Sequence, residues 1–385
     1  MINNLLKIFF VVIIAGLYSC SEDPASIGSS QIPNDIIVGE INSLEDSVQQ
    51  SSTFFEKEID RGTSSRIFIG RYNDLESHAL IRFILSLSDS VTSALEADSL
   101  NVLEANVKMF PVYELGSGAF DFSVHKINSS WTENDFDTDS LANLQFESSD
   151  LASAKTFSDS LITFSLPLDL VSGWMNKKVD DSIEDNNGLY FQPSAGINKV
   201  LGFRAFAGNP ADLKLTALEI VVEKPGAFLD TVYSFGFPDV YVPKAELPAA
   251  NGILFVQGGV AVHSTINFDL SRIPKSAIIN NAELRFFLDN DRSYLGEPTS
   301  DSLFVRFNLQ DSTESSGVIF RRAENYFAGP VTGFVEEWIS GKENYGLDVT
   351  IFNELNTVSR FALFGSGIND PELMPRLEIY YTTLK

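Results

Sequence analysis

Beyond about residue 50 the chain is a succession of short apolar runs separated by clusters of Gly, Pro, Asn, Asp and Ser. Arg66-Ile67-Phe68-Ile69-Gly70, Leu161-Ile162-Thr163-Phe164-Ser165 and Gly252-Ile253-Leu254-Phe255-Val256 are examples. Runs this short, bounded in this way, predict strands of a sandwich or barrel. Several alternate: Ile81, Phe83 and Leu85 point one way and Arg82, Ile84 and Ser86 the other, and Val107 and Met109 alternate with Lys108 and Phe110. One stretch has a different period. Val331, Phe334, Val335 and Trp338 stand at i, i+3, i+4 and i+7, the stripe of a short amphipathic helix that Pro330 would open and Gly341 close.

The pattern occurs twice. Ile81–Ser86 matches Ile266–Ser271, and Ala105–Phe110 matches Ala282–Phe287. Leu170, Val171 and Trp174 match Phe334, Val335 and Trp338, and Asn187-Gly188-Leu189 matches Tyr345-Gly346-Leu347. Phe203 and Phe206 match Phe361 and Phe364, and Leu218–Val222 matches Leu377–Tyr381. The blocks stay collinear while the spacing between partners shortens, as insertions between matched blocks require. The expected fold is all-β: two tandem jelly-roll-like β-sandwich modules over residues 51–224 and 228–385, each with one short helix, joined around Pro225-Gly226.

The first residues read differently. Lys7 precedes the apolar run Ile8–Leu17, and Ser19 precedes Cys20. Residues 1–19 have the form of a secretory signal, too short for a spanning helix. Leu17-Tyr18-Ser19-Cys20 resembles a bacterial lipobox, which implies lipidation of Cys20 and removal of everything before it. Residues 20–50, polar and without a sustained period, are expected to be a flexible tether. Ser21-Glu22-Asp23 resembles the acidic export signal of Bacteroidota-type lipoproteins, which implies an outer-membrane anchor and cell-surface exposure.

Composition narrows the partners. Cys20 is the only cysteine, so an internal disulfide is excluded. The formal net charge is −25, which repels phosphate backbones and excludes nucleic acid as a partner. Contact with a membrane is expected through the lipid anchor only.

No G-x-S-x-G, H-E-x-x-H or P-loop pattern occurs. His125 lies in a strand-like run, and His78 and His263 hold matching places ahead of Ile81 and Ile266. All three read as structural, so no catalytic residue is assigned and the chain is read as non-enzymatic. Asp135-Phe136-Asp137-Thr138-Asp139 places three carboxylates at alternate positions. Ser140 and Phe146 stand where an EF-hand needs Gly and Glu, so the choice is between a loop calcium site at Asp135, Asp137 and Asp139 and a solvated acidic loop. Asp180-Asp181 and Glu184-Asp185 form a second acidic loop, weighed in the same way. Trp174 and Trp338 sit on apolar stripes and read as core. Trp131, in the polar stretch Asn128–Asn134, is the aromatic best placed to stack on a sugar, with Glu133 and Asp135 as polar neighbours; burial is the competing reading. Eight Asp-Ser/Thr-apolar triplets, Asp159-Ser160-Leu161 among them, resemble an O-glycosylation acceptor and equally suit turns that open strands.

Arg82-Phe83 with Leu85-Ser86, Ala282–Phe286, Ser130-Trp131-Thr132-Glu133, the Trp helix and Arg376–Tyr381 together resemble the DNRLRE-type modules grouped with carbohydrate-binding module family ninety-six. Asn267, where that strand carries Arg, and the lack of a Trp matching Trp131 depart from the pattern in the second module. The resemblance implies jelly-roll sandwiches, polysaccharide or a surface protein complex as partner, and the first module as the binder. A structural or adhesive scaffold is the alternative.

Overall fold

The apolar alternation does produce strands, and the matched blocks fall on corresponding ones. In the computed structural model, which describes residues 36–206, 214–249, 251–299, 301–308 and 316–384, the first strands are β1 (Ile36–Asn42), β2 (Gln50–Glu56), β3 (Arg66–Tyr72) and β4 (Leu75–Phe83). β5 (Asn101–Met109), β6 (Pro111–Gly116), β7 (Phe122–Lys126), β8 (Ser153–Phe157) and β9 (Ile162–Ser165) follow. β10 (Leu189–Pro193), β11 (Lys199–Arg204), β12 (Ala217–Lys224) and the long β13 (Phe228–Ala245) end this half. The second half has β14 (Ile253–Gln257), β15 (Val262–Phe268), the long β16 (Ile278–Tyr294), β17 (Ser302–Phe307) and β18 (Gly317–Arg322). It closes with β19 (Tyr326–Pro330), β20 (Leu347–Ile351), β21 (Arg360–Phe364) and β22 (Arg376–Leu384). The fold is all-β and sandwich-like, with large antiparallel sheets. No described helix is long and apolar enough to cross a membrane.

The repeat is reproduced at the level of register. Leu218 lies opposite Val107, and its counterpart Leu377 lies opposite Leu284, the counterpart of Val107. Leu189 faces Ile81 as Leu347 faces Ile266. The turns entering β10 and β20 agree atom for atom. Asn186 Nδ2 donates to the Phe83 carbonyl at 2.8 Å and Asn344 Nδ2 to the Phe268 carbonyl at 2.9 Å. Each Asn side-chain oxygen then accepts from the glycine that follows, Gly188 at φ +88° and Gly346 at φ +89°. A Cβ on either would stand 2.5 Å from a carbonyl oxygen, of Ile81 or Ile266, so both the backbone region and the contact demand glycine.

Trp174 on helix α3 (Leu168–Asn176) and Trp338 on α4 (Thr332–Ile339) are buried, as the apolar stripes require. Among the described residues the first repeat adds two helices that were not expected. α1 (Asp89–Glu96) buries Val91 and Ala94 and is capped by Ser88, whose hydroxyl accepts from the Val91 N–H. α2 (Thr138–Ala142) belongs to an insertion between β7 and β8.

Strand pairing crosses the expected module boundary in both directions. β13 starts at the residue where the second module was expected to begin, yet its first part pairs with β12 and its second with β4, which places it in the first half. β1 and β2, at the start of the chain, pair with β22 and β15 of the second repeat. These are equivalent positions: Val232 lies opposite Ile220 as Ile41 lies opposite Ile379, and both Val232 and Ile41 are 6% exposed. Each sandwich is thus completed by the strand that precedes the other. The flexible tether expected over residues 20–50 is corrected accordingly: from Ile36 it is β1 and then a turn that buries Val48, because the apolar positions of this stretch have a sheet to cover.

The halves also share a buried seam. The Tyr113 hydroxyl is 2.9 Å from the Ser359 Oγ, and its counterpart Tyr294 packs edge-on against Tyr72. Arg360, 3% exposed, holds Asp74 through both terminal nitrogens, donates from Nε to Gln257 at 2.9 Å, and lies over the rings of Tyr294 and Phe255. Tyr241 donates to the Leu355 carbonyl at 2.7 Å, and Arg61 Nε to the Gly259 carbonyl at 2.7 Å. The larger apolar core accordingly runs from Phe68, Phe122 and Phe203 into Phe255, Val262 and Ala362. Each phenylalanine wholly removed from water contributes about 1.5–3 kcal/mol, so this continuity welds the halves together.

Candidate functional site

The two scaffolds differ where a strand pair is lost. In the second repeat β17 pairs with β18 along its length, which closes the strands β14 to β21 into one hydrogen-bonded circuit through β16. In the first repeat the equivalent strands are separated by residues 127–152, and β7 pairs with β10 alone while β8 pairs with β9 alone. Lys155 reaches across the gap to the Phe122 carbonyl, with Asp150 at 3.0 Å and Asp121 at 3.3 Å. Residues 146–151 cover the edge of β7.

Beside this open seam lies a cleft of about 330 Å³. It is lined by Pro111 and Glu114 of β6, the Gly118–Phe120 loop, Phe157 at the end of β8 with Ser158 and Asp159 of the turn after it, and Lys199 and Leu201 of β11. Phe157 is 45% exposed and stands nearly perpendicular to the half-buried Phe120, ring centres 6.2 Å apart. Phe120 in turn packs on Phe122 and Phe203, so the aromatic wall is fixed by the core. Lys199 Nζ is 2.9 Å from Glu114 Oε1 at the rim, and the Asp159 carboxylate is exposed. In the second repeat the place of Phe157 is taken by Arg322, which pairs with Asp301. An apolar wall with a few convergent polar groups is the make-up of a small-ligand site.

The residues singled out in the sequence are disposed differently. Trp131 is 7% exposed: its indole N–H donates to the Asn187 carbonyl at 2.6 Å, and the Arg82 guanidinium lies 5.1 Å from its ring centre while donating to its carbonyl. It packs with Phe136, Leu80, Tyr190 and Val240 in a small core on the outer face of the sheet, and offers no open face for stacking. A polar neighbourhood did not keep it in water because the Asn187 carbonyl met its polar atom. Glu133 lies against Gly62 and Asp135 is exposed at φ +55°. The three aspartates are not gathered round a cation site. Asp137 caps α2, its Oδ1 accepting from Ser140 N–H at 2.8 Å, which holds its carboxyl below the usual range. Asp139 lies in the first turn of the same helix. Among the described residues no group of three or more His, Cys, Asp or Glu stands ready to hold a metal. In the other acidic loop Glu184 pairs with Lys126 and Asp185 with Lys177. Cys20 lies outside the described residues.

The histidines are built into the scaffold. His78 and Tyr190 share a hydrogen bond of 2.7 Å, and His78 meets Glu76 at 2.8 Å. His125 is bonded to the Ser123 hydroxyl at 2.7 Å and to the Ser149 carbonyl at 3.0 Å, which uses both ring nitrogens within the protein. His263 is fully buried between Asp348 (3.2 Å) and Glu354 (2.7 Å). Burial opposes its charge, but the two carboxylates more than offset that and push its pKa up to about 9. Sequence reasoning missed Phe120, Phe157 and Lys199; the signal available was Phe157 standing in the polar run Ser153–Ser160, where an apolar ring has little to cover it.

No protein-family model, curated protein or solved structure matches the chain.

Proposed function

We propose that this is a non-enzymatic, lipid-anchored protein of the outer membrane, exposed at the cell surface, whose tandem sandwiches bind polysaccharide through the cleft of the first repeat. The observation that carries the reading is the fixed Phe120–Phe157 wall beside Lys199, Glu114 and Asp159. An aromatic face receives the C–H side of a sugar ring, and the rim groups receive its hydroxyls. The block resemblance to carbohydrate-binding modules points the same way. The net charge of −25 selects against polyanionic chains, so the ligand is a neutral or amino-bearing glycan.

The rival reading is a structural or adhesive scaffold in a surface protein complex, and the buried seam between the halves favours it, since a rigid spacer needs such a seam. Glycan-array binding by the full chain separates the two. Binding that is lost in Phe157→Ala, with unfolding midpoint unchanged, supports the first; absence of binding to every glycan supports the scaffold.

A further inference from the structure

The two repeats provide an internal control for a surface patch. At the open end of the second repeat, Val38, Thr382 and Ile278 form one row across β1, β22 and β16. Val38 is 73% exposed and Ile278 67%. Ile36 and Leu384 stand opposite each other further along β1 and β22, at 44% and 67% exposure. Side chains alternate along a strand, so Val38 and Ile36 share the face opposite the buried Ile41. The same row in the first repeat is Leu229, Glu223 and Asn101, with a tight turn beyond it at Pro225-Gly226. Of that row only Leu229, 68% exposed, is aliphatic, whereas the second repeat has Val38 and Ile278 there with Ile36 and Leu384 beyond, a gathering that fold stability does not require.

The aliphatic row lies on the strand that begins at Ile36, and residues 21–35, which lead back to Cys20, span at most about 50 Å even fully extended. We infer that Ile36, Val38, Ile278 and Leu384 form a platform that rests on the lipid surface beside the anchor. This rests on the lipidation of Cys20 proposed above. Exposed aliphatic side chains gathered on one face gain by entering the interfacial zone, and their proximity to the acyl chains makes that surface the one they meet.

The test uses the full-length lipoprotein in phosphatidylcholine vesicles. Because an acylated Cys20 leaves no other thiol, Ile278→Cys and, as the equivalent control, Asn101→Cys each take a single environment-sensitive fluorophore. Brominated lipid is expected to quench the label at 278 several-fold more than that at 101, and Val38→Glu is expected to abolish the difference. Equal quenching in vesicle-bound protein overturns the platform while leaving the anchor intact. Failure of Cys20 to incorporate labelled palmitate, with no flotation, overturns the anchor and the platform with it. A label at 278 shielded by rising protein concentration without lipid assigns the patch to a second copy and overturns the lipid assignment.

Discussion

Asp74→Ala probes the seam between the halves at its most polar point. Arg360 is 3% exposed and its guanidinium is held by Asp74, Gln257 and the faces of Tyr294 and Phe255. Removing one partner of a buried ion pair costs about 3–5 kcal/mol because the other charge is left uncompensated. The Asp74 side chain is 25% exposed, so water can reach the vacated position, and Gln257 and the rings remain; about 2–3 kcal/mol is the expected loss. The double variant Asp74→Ala, Arg360→Met removes both charges and is expected to lose less than Asp74→Ala alone. Urea unfolding at neutral pH measures all four corners of the cycle. Because the pair joins the repeats, the parent chain is expected to unfold in one transition. A loss below about 0.5 kcal/mol for Asp74→Ala, with no coupling to Arg360, would refute the reasoning.

Three further outcomes are expected. His263 has its pKa raised in the folded state, so its contribution is full below the ordinary value of 6.5 and fades as pH rises through about 9; the gap is worth on the order of 3 kcal/mol, and thermal melts between pH 6 and 10 should show a decline that His263→Gln flattens. Asp239 behaves oppositely: burial, against the Phe206 N–H and aided by the Glu133 charge, raises its carboxyl to about 7, so ionisation costs stability as pH climbs from about 4 to 7, and Asp239→Asn should raise the melting temperature at pH 8. Gly188→Ala and Gly346→Ala should each destabilise by more than about 1 kcal/mol in urea titrations, by similar amounts, since φ and the carbonyl contact are the same in both turns.

The interior was readable from the sequence because it is periodic and occurs twice. Val107 and Leu284, or Trp174 and Trp338, fill equivalent positions in two packed layers, and packing tolerates little else there. The exchange of strands was not readable from periodicity, since Ile36–Glu56 is short and interrupted by a turn. A signal existed in Ile41-Asn42-Ser43 against Val232-Tyr233-Ser234, whose apolar residue and serine are buried in both copies. The site was harder still. The polar neighbours of Trp131 leave its burial open in the sequence, and Arg82 on β4 and Asn187 in the turn before β10, both distant along the chain, supply its partners. The Asp135–Asp139 spacing admits a cation or a solvated loop, and Asp137 is spent on a helix cap. Such outcomes depend on which backbone groups meet in space, and alternation along one strand carries no record of that.

The reciprocal completion of the two sandwiches underlies the placement of the first described strand and the joining of the halves. Glu40 and Tyr380 lie opposite each other on β1 and β22, facing outward. Oxidising Glu40→Cys, Tyr380→Cys protein at low concentration and mapping the bridge by mass spectrometry tests the pairing directly. A disulfide within one chain, formed quickly and without loss of the parent melting temperature, is the expected result. Bridges only between chains, or none, would contradict it.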